Sequence, residues 1–263
     1  MAIDQRGFIY VAVNKTADSM AEKSAASLRA HHPDARITLF TDQPNISGVF
    51  NRIVKIPSTA RENDYLAKRP QYPDQGMIAK LKYMAQSPYP YTVFLDIDTY
   101  ICGDLSVLFD VLSDTPGYDC AACIDEAYVM ASARFGDIPC CVPRFNTGVV
   151  AFRNNDTMAD LFTKAFSYMA DPQKGITAND EPAFSAAAYR SNARILTLPP
   201  EYNCRFIFPY ILRAKAVVLH GRPESADYDI LAKKINKSVG TYRVMHIGDT
   251  LATHEPNKGF RRW

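Results

Sequence analysis

Runs of strand length that alternate with helical patterns constrain this chain more than any other feature. Residues 7–13, 36–41, 52–56, 91–97, 119–125 and 145–153 are short, apolar stretches of strand character. Between them, residues 17–31, 73–86, 104–112 and 156–169 read as helices. Such alternation predicts an α/β fold, a mostly parallel central sheet flanked by helices on both faces. A further helix is expected at 180–189, capped by Asn179 and with Pro182 in its first turn, followed by late strands at 195–198 and 216–220. Residues 127–143 lack a clear period and contain Gly136, Pro139 and Pro143; they read either as a substrate loop or as a structural excursion. With no internal repeat and no low-complexity linker, the 263 residues read as one domain, with 224–263 a helical appendage.

The strand expected at 91–97 carries the chemistry. Val93, Phe94, Leu95 and Ile97 are β-prone, Ser87, Pro88 and Pro90 precede them, and two acids, Asp96 and Asp98, stand at the end. Open α/β sheets bind ligands at the carboxyl ends of their strands. In extended chain, side chains at i and i+2 point the same way, so both carboxylates reach one hard cation. A divalent metal shared with a diphosphate is the natural use.

Charge and cysteine usage narrow the class. A formal net charge of +2, with no run of Lys or Arg, argues against a nucleic-acid partner. No apolar stretch approaches the roughly 20 residues of a membrane span, and the N-terminus lacks a signal-peptide pattern. The expectation is a soluble, cytoplasmic protein. Among the six cysteines, Cys120 and Cys123 lie in a strand-like run at odd spacing, Cys140 and Cys141 are adjacent, and no Cys/His group has zinc spacing. They read as reduced, mostly buried thiols.

Four more apolar runs end in polar residues: Cys120-Ala-Ala-Cys-Ile-Asp125, Phe145-Asn-Thr-Gly148, Asn179-Asp-Glu-Pro182 and Val217-Val-Leu-His-Gly-Arg-Pro223. Standing alone, His220 reads as a satisfied strand-end histidine; the structural alternatives are a solvated helix lysine for Lys80, with Lys82 nearby competing for its place, and a strand-end turn residue for Asn146. Together with Asp96-Ile-Asp98, and in this order, the segments resemble the GT-A nucleotide-sugar glycosyltransferases, in particular glycosyltransferase family 8, which includes lipooligosaccharide galactosyltransferases and glycogenin. The likeness runs from about residue 8 to 223. Its most specific parts are Leu95-Asp-x-Asp-Thr-x-x-x-Gly-Asp-Leu105, the Phe-Asn-x-Gly run and the late His-Gly pair.

The resemblance implies a GT-A fold and a metal-dependent hexosyltransferase that moves glucose or galactose from a UDP-sugar to a hydroxyl of a glycan or similar acceptor, with retention. It assigns Asp96, Asp98 and His220 to Mn²⁺ or Mg²⁺, with Asp96 also near the ribose. Lys80 would meet the donor sugar or diphosphate. Asp125, Asn146, Asp180 and Glu181 would hold sugar hydroxyls, and Gly148 would let the backbone approach beneath the sugar. Ala12 and Asn14 would line the base; family members often carry an acid where Asn14 stands. Gly221 and Arg222 match the family's late diphosphate-gripping run only in part, since it is compressed here and lacks a Trp. Many members have Gln where this chain has Glu181; a carboxylate there suits a nucleophile, a charge stabiliser, a hydroxyl-binding group or a base for inversion.

Other readings compete with this one. A haloacid-dehalogenase-type phosphatase also places Asp-x-Asp after an apolar strand, but it wants Thr or Val where Tyr100 stands and usually carries the motif near its N-terminus. A non-catalytic nucleotide-sugar binder, or an enzyme that only hydrolyses its donor, would use the same residues. The basic, aromatic segment 257–263 reads either as a docked terminus or as a weak peripheral membrane contact.

Overall fold

The computed structural model describes residues 5–13, 15–43, 48–57, 75–114, 117–125, 138–139, 141–170, 180–206, 210–222, 227–237, 242–245, 251–255 and 259–262. Its strands are β1 (Arg6–Ala12), β2 (Ile37–Thr41), β3 (Arg52–Lys55), β4 (Tyr91–Leu95), β5 (Thr99–Ile101), β6 (Cys120–Ile124), β7 (Phe145–Arg153), β8 (Ile195–Leu198), β9 (Tyr210–Leu212), β10 (Val218–His220), β11 (Tyr242–Met245), β12 (Leu251–Glu255) and β13 (Gly259–Arg262). The helices are α1 (Lys15–His31), α2 (Gln75–Met84), α3 (Ser106–Ser113), α4 (Asp156–Ala170), α5 (Asp180–Tyr189) and α6 (Tyr228–Asn236).

Seven strands form the main sheet in the order β3-β2-β1-β4-β7-β6-β8. Every pair is parallel except those made by β7, which runs antiparallel to both β4 and β6. The strand period of two sends alternate residues into two cores. Ile9, Val11, Phe94, Cys120, Ala122, Val150 and Phe152 face α2, α4 and α5. Phe8, Tyr10, Ala12, Val93, Leu95, Ala121, Cys123 and Ala151 face α1 and α3. Both faces are covered, as the alternating pattern predicts. Cys120 and Cys123 fall in opposite cores, and the described cysteines are free thiols; burial pushes the Cys120 thiol well above its ordinary range.

Two features place the ligand-binding edge. First, β7 is antiparallel, so its N-terminal residues start beside the carboxyl ends of β4 and β6. Second, β7 leaves register with β6: Ala122 pairs Val150, whereas Cys123 pairs Asn146. The residues between stay on β4, where Leu95 pairs Val149 and the Asp96 N–H donates to the Gly148 carbonyl at 2.8 Å. In a regular strand Asn146 and Thr147 would face opposite ways; an irregularity of this kind re-aims side chains, and such bulges cluster at functional sites.

The structure departs from the sequence reading in two places. The strand expected to end at residue 97 ends at Leu95, and the next residues form a turn into β5, which pairs with β10 in a separate two-stranded sheet. The expected helical appendage contains one helix, α6; beyond it β11, β12 and β13 form an antiparallel sheet with β9. Most of the irregular stretch at 127–143 lies outside the described residues, as do Asn179 and Pro223, but Ile138 and Val142 pack with Ala186 and Tyr168. Segment 257–263 is described only as strand β13, so its proposed membrane contact has no described side chain. Among the described residues, no helix is long and apolar enough to cross a membrane.

Candidate active site

Asp96 and Asp98 stand in the turn between β4 and β5, at the carboxyl edge of the central strand. The turn is tied by the Asp96 carbonyl, which accepts from the Thr99 N–H at 3.2 Å and from Thr99 Oγ1 at 2.7 Å. Thr99 Oγ1 is also 2.8 Å from Ser24 Oγ, itself 3.1 Å from the Tyr10 hydroxyl. A buried hydroxyl chain from β1 and α1 thus fixes the turn. The carboxylates converge because the chain turns here, and not through the strand alternation invoked for residues 91–97.

His220 arrives on β10, which pairs antiparallel with β5. The β5–β10 pairing sets it opposite Thr99, and the Gly221 N–H donates to the Asp98 carbonyl at 3.0 Å. Its Nε2 lies 3.4 Å from Asp98 Oδ1 and 3.6 Å from Asp96 Oδ2. One ligand atom from each of the three residues falls within 4.8 Å of the others. The loop is braced by Tyr228 of α6, whose hydroxyl donates to the Gly221 carbonyl at 2.7 Å and whose ring stacks on Tyr100. Arg222 leans on Asp98, with Nε 3.9 Å from Oδ2, and keeps most of its side chain in solvent.

Beside the turn, Lys80 of α2 is buried rather than solvated. Its Nζ lies 2.9 Å from Asp96 Oδ1, 2.9 Å from Asp180 Oδ2 and 3.0 Å from Thr147 Oγ1. Thr147 in turn donates to Asp180 at 2.6 Å. Burial alone would raise the Asp180 carboxyl, but Lys80 and Thr147 outweigh it and hold the group below its ordinary range. The Lys80 ammonium loses hydration on burial, yet the two carboxylates more than offset this and raise its pKa. Lys82, two residues on, is exposed.

A second charged group adjoins the first. Glu181 Oε2 accepts from Arg144, and its Oε1 accepts from Asn146 Nδ2 at 2.8 Å with Arg205 at 3.5 Å. Arg144 Nε and Arg205 Nη1 lie 3.4 and 3.5 Å from Asp125 Oδ2. Both Glu181 oxygens are therefore engaged. Burial and nearby Asp180 push its pKa up, against the pull of the arginines.

The sequence reading placed Asp125, Asn146, Asp180, Glu181, Lys80, Asp96, Asp98 and His220 in one site, and the ion pairs and hydrogen bonds join them. At Gly148, the position that a Cβ would take is occupied by the His220 ring, so the absence of a side chain there lets the histidine approach. Ala12 ends β1 one strand from β4, and its side chain is wholly buried in the core under α1. Asn14 lies outside the described residues. Arg144, Thr147, Asn203, Arg205 and Tyr228 join the site without an assignment from the sequence. Thr147 and Arg144 flank the Phe145-Asn146 pair and lay within reach of sequence reasoning, whereas Asn203, Arg205 and Tyr228 carry no local signal.

The donor chemistry fits a divalent cation. Two carboxylates and an imidazole form a mixed oxygen–nitrogen set. Across the whole cluster, the carboxylates of Asp96, Asp98, Asp125, Asp180 and Glu181 outnumber the cations Lys80, Arg144, Arg205 and Arg222.

The fold has known counterparts. No family model matches the chain, and no curated protein matches it by sequence. Among solved structures it is similar to the galactosyltransferase LgtC in complex with donor and acceptor sugar analogs, at 16% identity and a TM-score of 0.58, over 86% of this chain and 91% of that one. It is similar to the glycosyltransferase GlyE of Streptococcus pneumoniae at 13% identity and TM-score 0.53, over 86% of this chain and 56% of that one. Mouse xyloside xylosyltransferase 1 matches at 11% identity and TM-score 0.52, over 82% of this chain and 97% of that one. The chain has the GT-A glycosyltransferase fold.

Proposed function

We propose that this protein is a metal-dependent glycosyltransferase that moves a hexose, glucose or galactose, from a UDP-sugar to an acceptor hydroxyl with retention of anomeric configuration. The observation that carries this reading is the convergence of Asp96, Asp98 and His220 at the carboxyl end of β4, on a fold shared with glycosyltransferases. It is supported by the polar groups alongside, whose carboxylates and amides suit paired hydrogen bonds to vicinal hydroxyls.

Asp96, Asp98 and His220 would hold Mn²⁺ or Mg²⁺, which supplies Lewis acidity to a departing diphosphate. Lys80, shared between Asp96 and Asp180, sets the spacing between the metal-binding turn and the start of α5. Asp125, Asn146, Asp180 and Glu181 would orient the donor sugar. Glu181, with one oxygen on Arg144 and the other on Asn146, is held as a fixed hydrogen-bonding and charge-stabilising group, an arrangement that favours positioning over nucleophilic attack. Gly221 and Arg222, beside Asp98, would meet the diphosphate. Ala12, at the end of β1, and Asn14 would line the base.

The test is turnover of UDP-glucose and UDP-galactose with Mn²⁺ against a panel of glycan acceptors, with the product anomer read by NMR. The expected product has the anomeric configuration of the donor. The inverted anomer would overturn retention, and free sugar with every acceptor would replace transfer by donor hydrolysis.

A further inference from the structure

Asn203 sits behind His220, on the side away from the two acids, and is fully buried. It comes there because the 203–204 segment runs beside β10: the Cys204 N–H donates to the Val218 carbonyl, and the His220 N–H donates to the Cys204 carbonyl, each at 2.8 Å. Its Oδ1 is 2.8 Å from His220 Nδ1, and its Nδ2 donates to Asn146 Oδ1 at 2.6 Å. Asn146 Oδ1 also accepts from the Gly148 N–H at 2.9 Å, while Asn146 Nδ2 donates to Glu181.

The direction of this chain is fixed at its Asn146 end, where the backbone cannot reverse its role. A backbone N–H only donates, so the Gly148 N–H requires Asn146 Oδ1 on its side, which turns Asn146 Nδ2 to Glu181 and gives Asn146 one orientation. Its Oδ1 then requires the amide nitrogen of Asn203, because a flipped Asn203 would set two carbonyl oxygens against each other. That leaves Asn203 Oδ1, an acceptor, facing His220 Nδ1. The Nδ1 must carry a proton, and in the neutral ring the lone pair falls on Nε2, between Asp96 and Asp98.

We propose that Asn203 is a positioning residue that locks His220 in its Nδ1–H tautomer and so aims the Nε2 lone pair at the metal position. Partners of this kind orient a ligating imidazole and raise its basicity. The relay has a second consequence: Asn203 and Asn146 join the metal-binding histidine to Glu181, on the sugar-binding side, through three hydrogen bonds. The affinity part of the inference rests on the proposed metal-dependent function; the tautomer part does not.

The experiment is ¹⁵N NMR of the histidine rings, above the imidazole titration range, with His220 assigned through His220→Gln. The metal-free wild type is expected to show the Nδ1–H tautomer, unchanged on adding Mg²⁺. In Asn203→Leu, the Nε2–H form should grow and Mn²⁺ affinity, read by EPR, should fall about 10–100-fold. In Asn203→Asp, which keeps an acceptor at Nδ1 but loses the donor to Asn146 Oδ1, the Nδ1–H tautomer should persist even if stability falls. A neutral Nε2–H ring in the wild type overturns the proposal, as does a folded Asn203→Leu with unchanged tautomer and affinity. If Asn203→Leu does not fold, the wild-type tautomer and the Asp variant decide. A wild type with the Nδ1–H ring but no Mn²⁺ binding overturns the metal reading and leaves the tautomer lock standing.

Discussion

Replacing Gly148 with alanine should destroy metal binding while leaving the main sheet assembled. A methyl group built on Gly148 overlaps Cε1 and Nδ1 of His220 and stands 3.0 Å from Asn146 Oδ1. The ring cannot retreat: Asn203 holds its far nitrogen and the β5–β10 pairing holds its backbone. Among the described glycines only Gly221 has a positive φ, so at Gly148 the penalty is steric and not conformational. Overpacking of this kind costs about 1–3 kcal/mol of stability. Displacing the imidazole should cost Mn²⁺ affinity at least the ~10–100-fold expected for loss of an outer partner. Urea unfolding and Mn²⁺ titration of the variant measure the two effects separately. Unchanged Mn²⁺ affinity would mean that His220 is not a ligand.

The second large effect is expected at Lys80. Lys80→Met keeps the length and apolar stem but leaves Asp96 and Asp180 without their buried counter-charge. Removing one partner of a buried ion pair costs about 3–5 kcal/mol, because the remaining charge is stranded. The pH dependence has a definite sign. Asp180 has a lowered folded pKa, so its contribution is present above the ordinary aspartate value of about 3.9 and is lost as pH falls through the folded value. Lys80 has a raised folded pKa, so its contribution is complete below about 10.4 and is lost as pH rises through the folded value. Chemical denaturation should therefore show the widest gap between wild type and Lys80→Met between about pH 5 and 9, closing toward pH 3. A gap of the same size at pH 3 would place the effect in packing and not in charge.

Much of this site is legible in the sequence where chemistry follows a period, and illegible where it depends on which segments meet. The strands β1, β2, β4, β6 and β7 announce themselves because both faces are buried and their apolar runs are continuous. Asp96, Asp125 and Asn146 could be found because each stands at the end, or the antiparallel start, of such a run. Lys80 and Lys82 could not be told apart locally; two residues on a helix point roughly opposite ways, and only packing against Thr147 and Asp180 shows which is inside. β5 and β10 are three residues long, too short for any periodic signal, yet their pairing delivers His220 to the acids. Asn203 follows a 3-10 turn at Pro200–Tyr202 and reaches β10 through a single bridge between Cys204 and Leu219. No spacing rule foretells that contact. In the C-terminal segment, β11 and β13 are only four residues long and leave little room for strand alternation to show in the sequence.

The most direct test of the central claim is calorimetric titration of UDP-glucose, UDP-galactose and other UDP- and GDP-sugars into the protein with Mn²⁺, repeated without metal and with Asp98→Ala. The site described here predicts that one donor binds, that omitting Mn²⁺ weakens it sharply, and that Asp98→Ala has the same effect as omitting the metal. Binding of a donor that ignores both the metal and the variant, or no binding by any donor, would contradict it.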